Sequence, residues 1–400
     1  VSLILVLDTG NVTEEYNILV QIGIFYIFAR NITSNYFKRR NYFLIGVLGA
    51  LSFFLRQNLI GAFVSVAIFL VYKRLSQRNF KLLGKEIVFV ALGFITVSSM
   101  VFYYFAVNAA LEHLLDQFFV FNIIYSSTTL IQRFKAMFIG FWILARSGFT
   151  FIALGGWLYG IFLSLRRNGE KFYPLLHLAL IGFPIEVILS SLSGIHPPHY
   201  FLTWLVPMVI LTGLFANQIK KILLLALIVP MISLPLAVLA YQYKPDPDYR
   251  LCKEIGWFLL PSFAYFECSN TKVEATKYIK AHTRESDSVL AWGFGGSLNF
   301  TANRLSPTRF TYQYPLFLEG YTDSKKVLEF YEAIVENKPK LIIDTTSTQG
   351  RVPPLDKLKR QNFQEGVVLV EMEKVFEYID KNYKKVGLIG EEGWVIYEEK

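Results

Sequence analysis

Between residues 14 and 242 this chain alternates apolar runs with short loops rich in lysine and arginine, and that alternation restricts what it can fold into. A bilayer core of about 30 Å needs about 20 apolar helical residues at about 1.5 Å each. Runs at 14–30, 86–107, 150–166, 173–192, 199–217 and 222–242 meet that length or approach it. The stretch 41–72 is apolar except for Arg56, Gln57 and Asn58 at its middle. As one helix it would extend about 48 Å and put basic loops on both faces of the membrane. As a hairpin of two short helices, 41–55 and 58–72, it returns to its starting side. The hairpin places Arg30 with Lys38, Arg39 and Arg40, then Lys73 to Lys85, Arg166 to Lys171, and Lys220 with Lys221 on one side. The positive-inside rule makes that side the cytoplasm. Segments 8–13, 108–149, 193–198 and everything after 243 then face outside. Residues 134–149, FKAMFIGFWILARSGF, would invert every later loop if they crossed, so they read as an interfacial helix.

Charged residues make up 18% of the chain, against about 25% in a soluble domain. The deficit lies in 1–243; residues 244–400 read as an ordinary charged sequence, so two domains are expected. In the second, helix patterns at 271–283 and 324–337 alternate with strand patterns at 287–293, 340–344 and 394–398. The expected fold is a multi-pass α-helical membrane domain, 1–243, followed by an extracytoplasmic α/β domain, 244–400. The apolar stub Val1–Leu7 reads as the end of a longer helix, so N-terminal helices are expected before it. The formal charge of +9 is spread through loops and forms no single patch, which argues against nucleic acid as a partner.

No nucleophile elbow, phosphate-binding loop or zinc-spaced cysteine set occurs. Gly293, Gly295 and Gly296 follow a strand pattern, but no helix pattern opens there, so they do not form a dinucleotide fingerprint. Cys252 and Cys268, the two cysteines, form either a disulfide or a pair of free thiols. Asn11-Val12-Thr13 and Asn299-Phe300-Thr301 match glycosylation sequons, which arise often by chance.

Polar groups at membrane depth are costly, so those that persist are the functional candidates. Arg56 can hold a phosphate bidentately between helices, or it can snorkel to the interface. Glu14 and Glu15, near Asp8, either partner the helix dipole behind a Thr13 N-cap or hold a metal or a sugar hydroxyl. His196, His199 and Tyr200 can contact a phosphate or sugar, or simply mark a proline turn with a belt aromatic. Their spacing does not define a metal site. Arg133, Lys135 and Arg146 are cations of the outer loop, suited to lipid phosphate but nonspecific one by one.

Four stretches carry a resemblance to a family. These are Asn11 to Tyr16, NVTEEY; Phe43 to Asn58, FLIGVLGALSFFLRQN; His199 to Pro207, HYFLTWLVP; and Ala275 to Tyr314 with Trp292-Gly293, Thr308-Arg309-Phe310 and Tyr312. Together they resemble the GT-C membrane glycosyltransferases that use polyprenyl-phosphate sugars, in the branch of the protein mannosyltransferases and the lipid A aminoarabinose transferase. The resemblance implies transfer of a sugar from a polyprenyl-phosphate donor to a lipid, glycan or protein acceptor outside the plasma membrane. It implies that Glu14, with Glu15 as the fallback, is an acidic site residue. Arg56, where the family has lysine, would bind the lipid phosphate, with Arg133 assisting and His199 and Tyr200 lining the cavity. The family's catalytic aspartate would precede Val1, so no residue here is taken as the base. No cofactor is implied for certain, and a divalent cation stays open. Two other readings remain: an O-antigen ligase or polymerase, which predicts a large central outer loop, and a non-catalytic membrane-anchored binding or assembly protein.

Overall fold

A computed structural model describes residues 12–34, 37–145, 149–166, 174–216, 271–346, 351–363 and 366–400. Tyr243 with the expected domain boundary, the apolar run 222–242, Asp8, Arg146, Cys252 and Cys268 lie outside the described residues. Two compact units emerge; among the described residues the first takes 12–115 and 126–216, the second 116–125 and 271–400. The segment Asp116–Tyr125, expected in the membrane domain, therefore belongs to the second unit.

The first unit is helical: α1 (Thr13–Thr33), α2 (Arg39–Leu55), α3 (Gly61–Ser76), α4 (Phe80–Val107), α5 (Leu111–Leu114), α7 (Leu130–Ala145), α8 (Phe149–Arg166), α9 (Pro174–Ser191) and α10 (Leu205–Ala216), the last entered through a 3-10 turn, Pro198–Trp204. Phe80–Val107, Pro174–Ser191 and Pro198–Ala216 are long and apolar enough to cross a membrane, and they mark the chain as a helical membrane protein.

α2 and α3 fold back on each other as the hairpin reading requires. Tyr42, near the start of α2, and Arg74, near the end of α3, meet on one carboxylate, Glu86 of α4. The Tyr42 hydroxyl donates to Glu86, and Arg74 Nε and Nη2 donate to its two oxygens at 2.9 and 2.6 Å. Glu86 is fully buried, so only a bidentate partner with extra hydrogen bonds makes its charge tolerable. α2 and α4 come close because two glycines face each other's backbone. A Cβ on Gly46 would lie 1.9 Å from Val90 O, and one on Gly93 would lie 2.0 Å from Phe43 O. Lipid is as apolar as leucine, so close backbone approach rather than apolar burial holds such helices together. The opposite face of α4 points outward with Ile87, Leu92, Ile95, Met100 and Tyr103. α7 shows an apolar exposed stripe, Ile131, Phe134, Phe138 and Trp142, while Ala136, Ile143 and Leu144 are buried.

The second unit carries α6 (Phe121–Tyr125), α11 (Thr271–His282), α12 (Ser297–Ala302), α13 (Ser324–Asn337), α14 (Lys357–Arg360) and α15 (Met372–Asn382) around one four-stranded sheet. Its strands are β1 (Val289–Trp292), β2 (Leu341–Asp344), β3 (Tyr383–Ile389) and β4 (Trp394–Glu399), in spatial order β1-β2-β4-β3. β1 and β2 are parallel, in register Val289 with Leu341, and α13 makes the crossover between them; β4 is antiparallel to β2 and to β3. Three strands fall where the sequence patterns predict them. β3 has no strand pattern in the sequence: it is an edge strand whose Lys384 and Lys385 are exposed, and charge masks its pattern. A short helix, α12, also opens after Gly296, where none was expected. Trp292 centres the core, packed edge-on against Phe317 and Phe376, with its indole N–H donating to Pro353 O at 2.8 Å. Each such buried side chain contributes about 1.5–3 kcal/mol, and the donated hydrogen bond removes the penalty of burying the indole N–H.

Asp116–Tyr125 joins this unit through polar and aromatic contacts. Tyr321 donates to Asp116 Oδ2 at 2.5 Å, Phe121 packs edge-on against Tyr321, and Tyr125 packs against Tyr314. Burial, followed by the hydrogen bond to Asp116 and the charge of its carboxylate, raises the Tyr321 phenol above its ordinary pKa.

Candidate functional site

Three of the residues singled out in the sequence meet at the tip of the α2–α3 hairpin. α2 stops at Arg56, whose backbone is extended (φ −169°, ψ 135°) and leads into a 3-10 turn, Gln57–Leu59. The turn leaves the guanidinium free to point back across the first turn of α1, where Nη1 donates to Glu14 Oε1 at 2.6 Å. Glu14 is 1% exposed and Arg56 25% exposed, so the carboxylate is sealed in while the cation keeps access to solvent. The other carboxylate oxygen accepts from Thr13 Oγ1 at 3.1 Å. Thr13 is thus the first helical residue rather than the expected N-cap, a position held by Val12. Tyr200 comes from the 3-10 turn before α10 and lies under the guanidinium, 3.9 Å from ring centre to Cζ. His199 packs edge-on against Tyr200, with centroids 4.9 Å apart. A planar cation stacked on one face, and clipped along one edge by a buried carboxylate, is held in a single orientation.

Glu15 is half-buried, while its neighbour Glu14 is sealed. Arg133 is not brought to the cluster: its Nη2 donates to Ser126 O at 3.2 Å. Among the described residues, no hydrogen bond, ion pair or ring contact joins Arg133 or His196 to Arg56, Glu14 or Tyr200. No group of three or more His, Cys, Asp or Glu side chains among them is arranged to hold a metal ion.

The buried polar face continues down α1 with residues the sequence reading passed over. Glu14, Asn17 and Gln21 recur at helical spacing and share one face. Asn17 donates to Leu59 O at 3.0 Å and accepts from Ser52 Oγ at 2.7 Å, which ties α1 to both sides of the hairpin tip. Gln21 donates to Glu186 Oε1 of α9 at 2.8 Å and to Thr203 O at 3.4 Å. Glu186 is 1% exposed. Its carboxylate sits against Gly61, the first residue of α3, where a helix N-terminus favours negative charge. Glu186 therefore bears on α1, on the start of α3 and, through Gln21, on the 3-10 turn of Thr203. The first of these segments carries Glu14 and the third carries Tyr200, while Arg56 lies five residues before Gly61, across the 3-10 turn Gln57–Leu59. Among the described residues, Gln21 Oε1, Glu186 Oε2 and Thr203 Oγ1 are buried and make no well-formed hydrogen bond, so this part of the network is incompletely satisfied. The signal that would have found these residues is a polar side chain every three or four positions within an apolar run.

No protein-family model matches the chain, and no curated protein matches it.

Proposed function

We propose that the chain is a multi-pass glycosyltransferase of the plasma membrane, moving a sugar from a polyprenyl-phosphate donor to an acceptor on the outer side. The observation that carries this reading is the Arg56 guanidinium, fixed by Glu14 and Tyr200 at the hairpin tip. The basic groups Arg30, Lys38, Arg39 and Arg40 lie at the other end of the same helices, which by the positive-inside rule puts Arg56 toward the outer face. In the proposed reaction an acceptor hydroxyl oxygen bonds to the anomeric carbon as the bond from that carbon to the phosphate oxygen breaks. The electron pair leaves with the lipid phosphate, and Arg56 stabilises the growing charge. The acceptor proton passes to a base that we do not assign to any described residue.

The C-terminal α/β unit favours this reading over an O-antigen ligase or polymerase, for which a large central outer loop is the expected acceptor site. The test is protection of the purified chain against heat by a short-chain polyprenyl phosphate. Wild type should be stabilised, Arg56→Lys less so, and Arg56→Gln not at all. If the lipid phosphate protects wild type and Arg56→Gln equally, the assignment of Arg56 is wrong; if it protects neither, the donor class is wrong.

A further inference from the structure

At the end of α1 and α2 remote from Arg56, a cavity of about 480 Å³ is lined by Tyr26, Ile27, Arg30, Lys38, Arg39, Arg40, Asn41 and Leu44. Four of its eight lining residues are cations and none is acidic. Two other arginines of this unit are matched with carboxylates, Arg56 with Glu14 and Arg74 with Glu86. Here no carboxylate among the described residues pairs with Arg30, Lys38, Arg39 or Arg40. Arg30 only reaches the Tyr26 hydroxyl, at 3.4 Å, and Arg39 lies over the Phe89 ring, 5.6 Å from its centre. Four like charges around one cavity repel one another until an anion enters.

The remaining lining says what kind of anion. Ile27 and Leu44 are apolar, and Tyr26 is an amphipathic aromatic at the end of a helix, as belt residues are. Behind the wall, Asn41 Nδ2 donates to Asn31 Oδ1 at 3.3 Å, and the buried Asn31 Nδ2 has no partner among the described residues. A cationic mouth beside an apolar wall, at the end of two largely apolar helices, matches a phosphate that carries acyl chains better than a free ion. We propose that this cavity binds the headgroup phosphate of an anionic phospholipid in the membrane leaflet. The inference does not depend on the sugar-transfer reading, which uses these cations only to orient the chain and places neither donor nor acceptor on them.

The test uses the full chain extracted in mild detergent, with phosphatidylglycerol or phosphatidylcholine added, and native mass spectrometry to count retained lipid. Phosphatidylglycerol should be retained selectively. Each cation near a membrane surface is worth about fivefold in affinity, so K38Q/R39Q/R40Q should weaken retention roughly a hundredfold. Because the triple change also removes charges that orient the helices, the single change Arg30→Gln is measured too, with about a fivefold loss expected, and R39K/R40K should retain the lipid. Equal retention of the two lipids by wild type would overturn the proposal. So would unchanged selectivity in Arg30→Gln and the triple variant, or displacement of the phospholipid by millimolar inorganic phosphate.

Discussion

The carboxylate of Glu186 occupies the space that a side chain on Gly61 would need: a Cβ there would lie 2.1 Å from Oε1 and 2.2 Å from Cδ. Gly61→Ala must therefore push the carboxylate away and stretch its hydrogen bond from Gln21, at about 1–3 kcal/mol for an overpacked site. Glu186→Ala frees the space. The double variant G61A/E186A should be more stable than the sum of its two single changes predicts, by about 1 kcal/mol or more. Heat unfolding of the four proteins in one detergent measures the cycle. Strict additivity would mean that the two residues do not press on one another.

The Arg56–Glu14 pair should respond asymmetrically to truncation. Arg56→Ala leaves a carboxylate that is 1% exposed without its cation, a situation that costs about 3–5 kcal/mol. Glu14→Ala leaves a guanidinium that is still 25% exposed and can turn to water, so the loss should be smaller. Removing both partners should cost less than removing Arg56 alone. These stabilities are read from the same heat-unfolding measurement, and an Arg56→Ala protein as stable as Glu14→Ala would contradict the buried placement of Glu14.

Why the first half of this site was legible and the second was not follows from how the signals are carried. Glu14, Arg56 and Tyr200 stand at the ends of apolar runs or in a break between them, so a change in character marks them along the chain. Asn17, Gln21 and Glu186 stand inside such runs, where averaging over a span hides one polar residue among many apolar ones. Only their positions on a helical face, toward Ser52, Leu59 and Gly61, distinguish them. In the second unit the buried strands β1 and β2 show as short apolar runs. Edge strand β3 does not, because it keeps lysines on its exposed side. Arg133 shares its charge with Arg56 but not its place, and charge alone does not predict which loop reaches a site.

Gly46 and Gly93 supply a third expectation. Each would place a Cβ about 2 Å from a backbone oxygen of the facing helix, and backbone cannot step aside as a flexible side chain can. Gly46→Ala or Gly93→Ala should force α2 and α4 apart and cost about 1–3 kcal/mol each. The double variant should cost little more than either single change, since one separation of the helices relieves both collisions. A Gly46→Ala protein that melts at the wild-type temperature would show that the two helices are not in backbone contact.

In the second unit, Asp323 caps α13 by accepting from Lys326 N at 2.8 Å and from Lys326 Nζ at 2.7 Å. Partial burial pushes this carboxyl up. The hydrogen bonds from the Lys326 side chain and backbone, together with the Lys326 charge, outweigh it and hold the carboxyl below the ordinary aspartate value. A carboxyl depressed in the folded state contributes stability above its unfolded pKa, about 3.9, and loses it as pH falls through the lower folded value. Asp323→Ala should therefore loosen the helix at neutral pH by about 1 kcal/mol, the usual worth of an N-cap. Asp323→Asn keeps an acceptor for Lys326 N but not the charge. It should lose less at neutral pH than the alanine variant while removing this residue's share of the acid-dependent loss. Hydrogen-exchange protection of the amides of Ser324–Asn337, followed from neutral to acid pH in the full chain, distinguishes the three proteins. If wild type and Asp323→Asn lose protection in parallel on acidification, the ionised carboxylate is not what holds the start of this helix.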